Sequence, residues 1–250
     1  MCLIIMRTCC KIEVRKEKEF LNMILKGLQK LTLLDYPGEI AATVFTGGCG
    51  FRCPFCHNAS LVLPEKFGET LPTETFFEFL ESRRGKLRAV CVSGGEPTMQ
   101  GDLHEFIERI KAMGFLVKLD TNGTRPDVLY GLIEDGLLDY VAMDIKNSRE
   151  RYGETVGVRG FDISPIEESI NILRKGKVPF EFRTTVVREL HSAEDFREIG
   201  EWLSGDEKFF LQTFEDSGDV IGEGYSAHDS ETMKQFLEIL KEYVPNAALR

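Results

Sequence analysis

The strongest constraint on the fold is a regular alternation of short apolar segments with longer amphipathic segments, which begins at Glu39. Apolar runs predict six strands, at 40–45, 87–92, 115–119, 140–143, 180–187 and 208–212. Apolar residues at helical spacing predict six helices, at 73–84, 102–113, 127–135, 164–175, 193–203 and 230–243. Strands that alternate with helices form a mainly parallel sheet. Six units are too few for a closed eight-stranded barrel, so the predicted fold is α/β, a partial (β/α)6 barrel.

The length and charge of the chain limit its organisation and its partners. A chain of 250 residues suits one domain of this kind, which we predict at 23–250. Residues 1–22 differ in pattern and are predicted to be a leader, either dispensable or a short capping helix. The net charge of −10 argues against a general nucleic-acid binder. No apolar run has the length of a membrane span and no secretory signal is evident, so we expect a cytoplasmic protein.

Three of the seven cysteines crowd into the segment directly after the first predicted strand, at Cys49, Cys53 and Cys56. This crowding indicates metal binding or redox chemistry rather than a disulfide framework. Thiolates are soft ligands that suit iron–sulfur clusters. Three thiolates would leave one iron of a four-iron cluster open to a substrate, and the glycines around Cys49 would let the backbone wrap the cluster.

A zinc site is the structural alternative, because three cysteines and a histidine are a known zinc ligand set. His57 is the available histidine, but it adjoins Cys56 in the sequence, so its ring would reach the same ion with difficulty.

A second motif, Ser93-Gly94-Gly95-Glu96-Pro97, ends the second predicted strand. A double glycine exposes backbone amides and carbonyls to a ligand. Gly-Gly turns are common, so this motif gains its weight from its position one strand after the cysteines.

The two motifs together resemble those of the radical S-adenosylmethionine (SAM) superfamily. Further segments are similar to those of glycyl-radical-enzyme activases, with the anaerobic ribonucleoside-triphosphate reductase activating proteins as the closest match. These segments are Leu28-Gln29-Lys30, Asp35-Tyr36-Pro37-Gly38, Cys56-His57-Asn58, Asp120-Thr121-Asn122-Gly123, Asp144-Ile145-Lys146 and Arg183-Thr184-Thr185-Val186-Val187.

The resemblance implies that Cys49, Cys53 and Cys56 bind a [4Fe-4S] cluster whose open iron takes the amino and carboxylate groups of SAM. It also implies a SAM pocket formed by Phe55, Gly94, Gly95, Glu96, Asp120, Asn122, Asp144, Lys146 and Arg183. In this pocket the Phe55 backbone would meet the adenine, and Gly94, Gly95 and Glu96 would meet the amino group. A monovalent cation is expected near Asp120 and Asp144.

Several of these residues also have an interpretation in which they only stabilise the fold. The segment after Asp120 is also a good turn by its own chemistry, and Asp144 with Lys146 could form a surface ion pair of little energetic value. Cys91 is expected to be a buried, apolar side chain. The chain also departs from the family pattern at Arg188 and at 213–216, on the side where a partner's glycine would enter.

The implied reaction is reductive cleavage of SAM, followed by removal of a hydrogen atom from a glycine of a partner enzyme. Flavodoxin or ferredoxin would supply the electron. This chemistry requires no acid–base residue, so none is assigned. The alternatives are a pyruvate formate-lyase-type activating enzyme, a small-molecule enzyme such as 7-carboxy-7-deazaguanine synthase, and a non-enzymatic zinc-binding module.

Overall fold

A computed structural model describes residues 21–206 and 208–250. The predicted leader therefore lies almost wholly outside the described residues, although Leu21 packs against the core. The described strands are β1 Leu25–Thr32, β2 Ala41–Thr46, β3 Ala89–Gly94, β4 Leu116–Thr121, β5 Tyr140–Asp144, β6 Phe180–Val186, β7 Phe209–Thr213 and β8 Ala248–Leu249. The helices are α1 Ala59–Val62, α2 Thr73–Ser82, α3 Leu103–Ala112, α4 Pro126–Glu134, α5 Tyr152–Thr155, α6 Ser164–Arg174, α7 Ala193–Trp202 and α8 Ser230–Lys241.

All eight strands belong to one sheet whose spatial order follows the sequence order. The pairs from β2 to β8 are parallel, and β1 runs antiparallel to β2. β1 and β8 are the two ends of this order, so the sheet is an open, partial barrel as the sequence predicts. Because parallel strands end at the same edge, the loops after β2–β7 meet on one face.

The six predicted strands correspond to β2–β7. Two strands were not predicted. β1 contains Gly27 and lacks a strict alternation of apolar and polar residues, and β8 has only two residues. The prediction that a helix closes the chain is wrong, because β8 follows α8 and pairs with β7.

The six predicted helices are confirmed. Five are one or two residues shorter than the pattern suggested, and α4 has the predicted length but begins and ends one residue earlier. Thr73 is the first residue of α2 and not its N-cap, since Pro72 occupies that position and no side chain caps the helix. α1 and α5 have four residues each, which is too short for a helical repeat to appear in the sequence.

Helices pack on the outer face of the sheet through buried apolar side chains. Between α2 and α3, for example, the rings of Phe76 and Phe106 stack with centroids 5.2 Å apart. Such burial on the outside leaves the inner side of the strands free for polar groups. In the described part of the chain, no helix is long and apolar enough to cross a membrane.

Candidate active site

A cavity of about 300 Å³ opens at the carboxyl ends of the parallel strands. The twelve side chains and glycines predicted from the sequence all line it: Cys49, Cys53, Phe55, Cys56, Gly94, Gly95, Glu96, Asp120, Asn122, Asp144, Lys146 and Arg183. These residues come from five different strands and the loops that follow them, so only the parallel sheet brings them together.

The cysteine loop follows β2 and packs tightly against the Gly94-Gly95-Glu96 turn after β3. The Glu96 N–H donates to the Gly48 carbonyl oxygen at 2.8 Å. A Cβ atom on Gly95 would lie 2.1 Å from that same oxygen, so only glycine fits this position. The second glycine of the motif is therefore required by the contact between the two loops.

The three thiols share the cavity as free cysteines. Cys53 is buried, while Cys49 and Cys56 are partly exposed. Burial, with the nearby Glu96 carboxylate, raises the pKa of Cys49 to about 11. Burial raises the pKa of Cys53 to about 12. Metal binding would therefore release the protons of these thiols, and the positive charge of the metal would stabilise the resulting thiolates.

The donor set of the cavity fits a cluster better than a single tetrahedral ion. Within the residues that the structure describes, no three His, Cys, Asp or Glu side chains are grouped closely enough to hold one metal ion. A tetrahedral zinc site needs four ligands about one centre, whereas in a cluster each iron takes its own thiolate. Three soft donors on one loop suit an iron–sulfur cluster. The backbone N–H of Phe51 and the side-chain amide of Asn122 point at Cys49 Sγ at 3.4 and 3.6 Å, as donors around a cluster thiolate do.

A segment of the long connection between β7 and α8 holds the cysteine loop from the other side. Backbone N–H groups of Ile221 and Gly222 donate to the carbonyl oxygens of Cys56 and Pro54 at 3.2 and 2.7 Å. The Asp219 carboxylate accepts a hydrogen bond from the Ser60 N–H at 2.9 Å. The sequence carries no motif for this contact, because it joins segments about 160 residues apart.

Glu96 is fully buried and its carboxylate accepts four hydrogen bonds. The donors are the N–H and hydroxyl of Thr98, the hydroxyl of Thr121 and the N–H of Asn122, at 2.6–3.1 Å. Burial raises the pKa of Glu96 although these donors oppose the shift. Its observed contacts join the loops after β3 and β4, a role that the sequence did not indicate.

A network of alternating charges crosses the cavity from β4 to β5 and β6. Arg183 lies 3.4 Å from an oxygen of Asp120 and 3.0 Å from one of Asp144, and Lys146 lies 2.9 Å from the other Asp144 oxygen. Burial opposes ionisation, but Arg183 and Lys146 outweigh it and hold the pKa of Asp144 well below its usual range. These side chains are 13–29% exposed, so the surface-pair interpretation of Asp144 and Lys146 is wrong.

Lys118 extends this network into the barrel. It is 1% exposed and forms an ion pair with Asp120, and its Nζ lies 3.9 Å from the Sγ atom of Cys91. Cys91 is fully buried, as predicted, and does not line the cavity.

The cavity also contains residues that sequence reasoning missed, above all Thr185 on β6 and Gln212 on β7. They are partners in the strand register. Neither is charged. Thr185 lies in the segment that begins at Arg183, but no role was assigned to Thr185 or to Gln212, so only the tertiary structure identifies them.

Comparisons with known proteins agree with this geometry. The family model described as the radical SAM superfamily matches residues 43–203. A protein of Methanocaldococcus jannaschii named as a glycyl-radical enzyme activating enzyme is 34% identical over 236 residues, which are 92% of this chain and 97% of that protein.

Other relatives match over shorter stretches. The 7-carboxy-7-deazaguanine synthase of Methanopyrus kandleri is 33% identical over 44% of this chain and 51% of its own length. The pyruvate formate-lyase-activating enzyme of Clostridium pasteurianum is 31% identical over 55% of this chain and 60% of its own length.

Among solved structures, Streptococcus suis SuiB bound to S-adenosylmethionine has the same fold, with a TM-score of 0.62. The match covers 81% of this chain and 48% of that chain at 16% identity. Because the superfamily model covers more than half of the chain and the archaeal relative matches nearly end to end, this chain belongs to the radical SAM superfamily and to its glycyl-radical-enzyme activating enzymes.

Proposed function

We propose that this enzyme reductively cleaves SAM at a [4Fe-4S] cluster held by Cys49, Cys53 and Cys56, and generates a glycyl radical on a partner enzyme. Our first choice of partner is anaerobic ribonucleoside-triphosphate reductase. Membership of the superfamily implies the cluster and SAM as cofactors. The observation that carries the proposal is that the three thiols and the Asp120–Arg183–Asp144–Lys146 network line a single cavity.

A bound cluster and SAM would supply the chemistry, which is one-electron reductive cleavage of SAM followed by removal of a hydrogen atom from a glycine. The protein holds SAM in position and limits the access of water. The alternating charges of Asp144, Lys146 and Arg183 complement a ligand that carries both an amino group and a carboxylate.

A monovalent cation near Asp120 and Asp144 stays a prediction, and both carboxylates already pair with Arg183. Flavodoxin or ferredoxin is the proposed electron donor. An oxygen-sensitive cluster favours an anaerobic, cytoplasmic setting.

Two other activities remain as alternatives because relatives carry their names. One is activation of pyruvate formate-lyase and the other is 7-carboxy-7-deazaguanine synthesis. Both share the cluster and SAM cleavage with our proposal, so the substrate decides among them.

Anaerobic reconstitution tests the cluster. We expect a brown protein with about four irons per chain, which forms 5′-deoxyadenosine from SAM when reduced with dithionite. Cys53→Ala should abolish this cleavage. Cys91→Ala is the matched control, because Cys91 is buried in β3 and does not line the cavity. A colourless zinc protein would contradict the proposal.

The partner is tested by electron paramagnetic resonance. The loaded enzyme, SAM and dithionite are mixed with anaerobic ribonucleotide reductase or with pyruvate formate-lyase, and the glycyl radical doublet is quantified. A radical on the reductase alone supports our first choice, whereas a radical on the lyase alone supports the alternative.

A further inference from the structure

One face of the cavity differs from the rest in its chemistry. The charged side chains that line the cavity all have partners: Glu96 is hydrogen-bonded, and Asp120, Asp144, Lys146 and Arg183 form ion pairs. On β6 and β7 the lining side chains beyond Arg183 are Thr185 and Gln212, both partly exposed. We find no hydrogen bond from either side chain to another residue in 21–206 or 208–250.

We propose that Thr185 and Gln212 form the substrate subsite and hydrogen-bond the backbone of an uncharged peptide segment. This inference rests on the proposed function and adds the residues that bind the partner's peptide segment. The two residues are register partners on adjacent parallel strands, so their side chains present a hydroxyl and an amide side by side. Together they offer donors and acceptors that match a peptide N–H and C=O.

The charge distribution argues against a nucleotide polyphosphate in this subsite. Phosphate groups are bound by arginine and lysine side chains, but the two cations that line the cavity, Lys146 and Arg183, pair with Asp120 and Asp144 and belong to the SAM site proposed above. The chain that follows Gln212 is acidic: residues 213–233 contain six Asp or Glu and no Lys or Arg. A polyanion would therefore enter against repulsion, whereas a neutral or basic peptide would not.

The absence of aromatic side chains on this face argues against a flat heterocycle. The aromatic residues that line the described cavity are Phe45, Phe51 and Phe55, which belong to β2 and the cysteine loop. Sites for flat ligands are usually lined by aromatic and other apolar side chains. Thr185 and Gln212 supply hydrogen bonds without such a surface, which suits an extended backbone.

Direct binding tests the inference. The probe is a fluorescein-labelled, C-terminally amidated peptide that spans the radical-bearing glycine of anaerobic ribonucleotide reductase, titrated with the loaded enzyme and SAM under anaerobic conditions and read by anisotropy. We expect Thr185→Val and Gln212→Leu each to raise the peptide Kd roughly 3- to 10-fold, the usual effect of losing one hydrogen bond. Thr185→Ser keeps the hydroxyl and should restore binding.

Thr213→Val is the matched control. Thr213 adjoins Gln212 on β7, is exposed and does not line the cavity, so its substitution should leave the peptide Kd unchanged. The KM for SAM is measured in parallel for every variant. In Thr185→Val and Gln212→Leu, the fold-change in peptide Kd should be at least three times the fold-change in KM for SAM.

The outcomes separate the subsite from the proposed function. If the wild type cleaves SAM and binds the peptide, but the two variants bind the peptide as the wild type does, the subsite is refuted and the function stands. Equal losses in peptide Kd and KM for SAM would assign both residues to the SAM site and overturn the inference. Competition by GTP for the peptide would also overturn it. A wild type that forms no 5′-deoxyadenosine refutes the proposed function, and with it the subsite.

Discussion

The Glu96 carboxylate accepts a hydrogen bond from the Asn122 N–H at 2.7 Å and thereby joins the loop after β3 to the loop after β4. The same carboxylate binds Thr98 and Thr121. Since Glu96 is fully buried, none of these donors has water as a substitute.

Glu96→Gln should lower the free energy of unfolding by about 1–3 kcal/mol, the cost of leaving a buried donor unsatisfied. A glutamine amide has one oxygen where the carboxylate has two, so it cannot accept all four hydrogen bonds. Its NH2 group would face at least one of the present donors. Urea unfolding of the cluster-free protein measures the effect. Glu78→Gln, on the exposed face of α2, is the control and should change stability little. Equal stability of the two variants would contradict this role.

Gly95→Ala should prevent the cysteine loop from closing against the turn after β3. Its Cβ would lie 2.1 Å from the Gly48 carbonyl oxygen, so one of the two loops must move. We expect iron content after reconstitution to fall clearly below that of the wild type. Gly101→Ala is the control, because a Cβ there has no atom within 4 Å and the backbone is not left-handed. Full iron loading of Gly95→Ala would refute the prediction.

The Arg183–Asp144 pair should show strong energetic coupling. A double-mutant cycle with Asp144→Asn and Arg183→Met, followed by chemical unfolding of the cluster-free protein, should give a coupling of about 0.5–3 kcal/mol. The exposed pair Arg125–Asp127 is the comparison, and coupling there should be about 0.2–1 kcal/mol. If the cavity pair couples no more strongly than the exposed pair, the network does not act as a unit.

His191 should make stability depend on pH below about 6.5, the ordinary pKa of histidine. Its Nδ1 accepts from the Val187 N–H at 3.0 Å, so Nε2 carries the proton and donates to the Lys146 carbonyl oxygen at 2.9 Å. Burial lowers the pKa of His191. Below pH 6.5 the unfolded chain therefore binds a proton that the folded protein does not, and the free energy of unfolding falls as pH falls.

His191→Asn should flatten this dependence between about pH 6.5 and 5, because asparagine does not titrate and keeps an acceptor for Val187. Unfolding free energies of the cluster-free wild type and variant, measured at half-unit steps, provide the check. The slope in the wild type should exceed that of the variant by at most about 1.4 kcal/mol per pH unit. Parallel curves would show that His191 does not titrate in this range.

Much of the site could be predicted because its residues lie within strands or directly after them, in segments that match motifs of the resembled family. A parallel sheet gathers the carboxyl ends of its strands on one face, and the predicted positions of β2–β7 agree with the pocket that the resemblance implies for Cys49, Glu96, Asp120, Asp144 and Arg183. β1 and β8 were not predicted. The alternation of apolar and polar residues is interrupted in β1, and β8 has only two residues, so neither leaves a clear local pattern.

The sequence by itself determined the cysteine spacing, the parallel α/β fold and the superfamily, because each depends on residues close together in the chain. Only the tertiary structure decided how these parts act on one another. Four kinds of contact join distant segments: those of Thr121 and Asn122 with Glu96, of Arg183 with Asp120 and Asp144, of Ile221 with Cys56, and of Thr185 with Gln212. Such contacts depend on strand register and loop packing, which no local pattern of residues specifies.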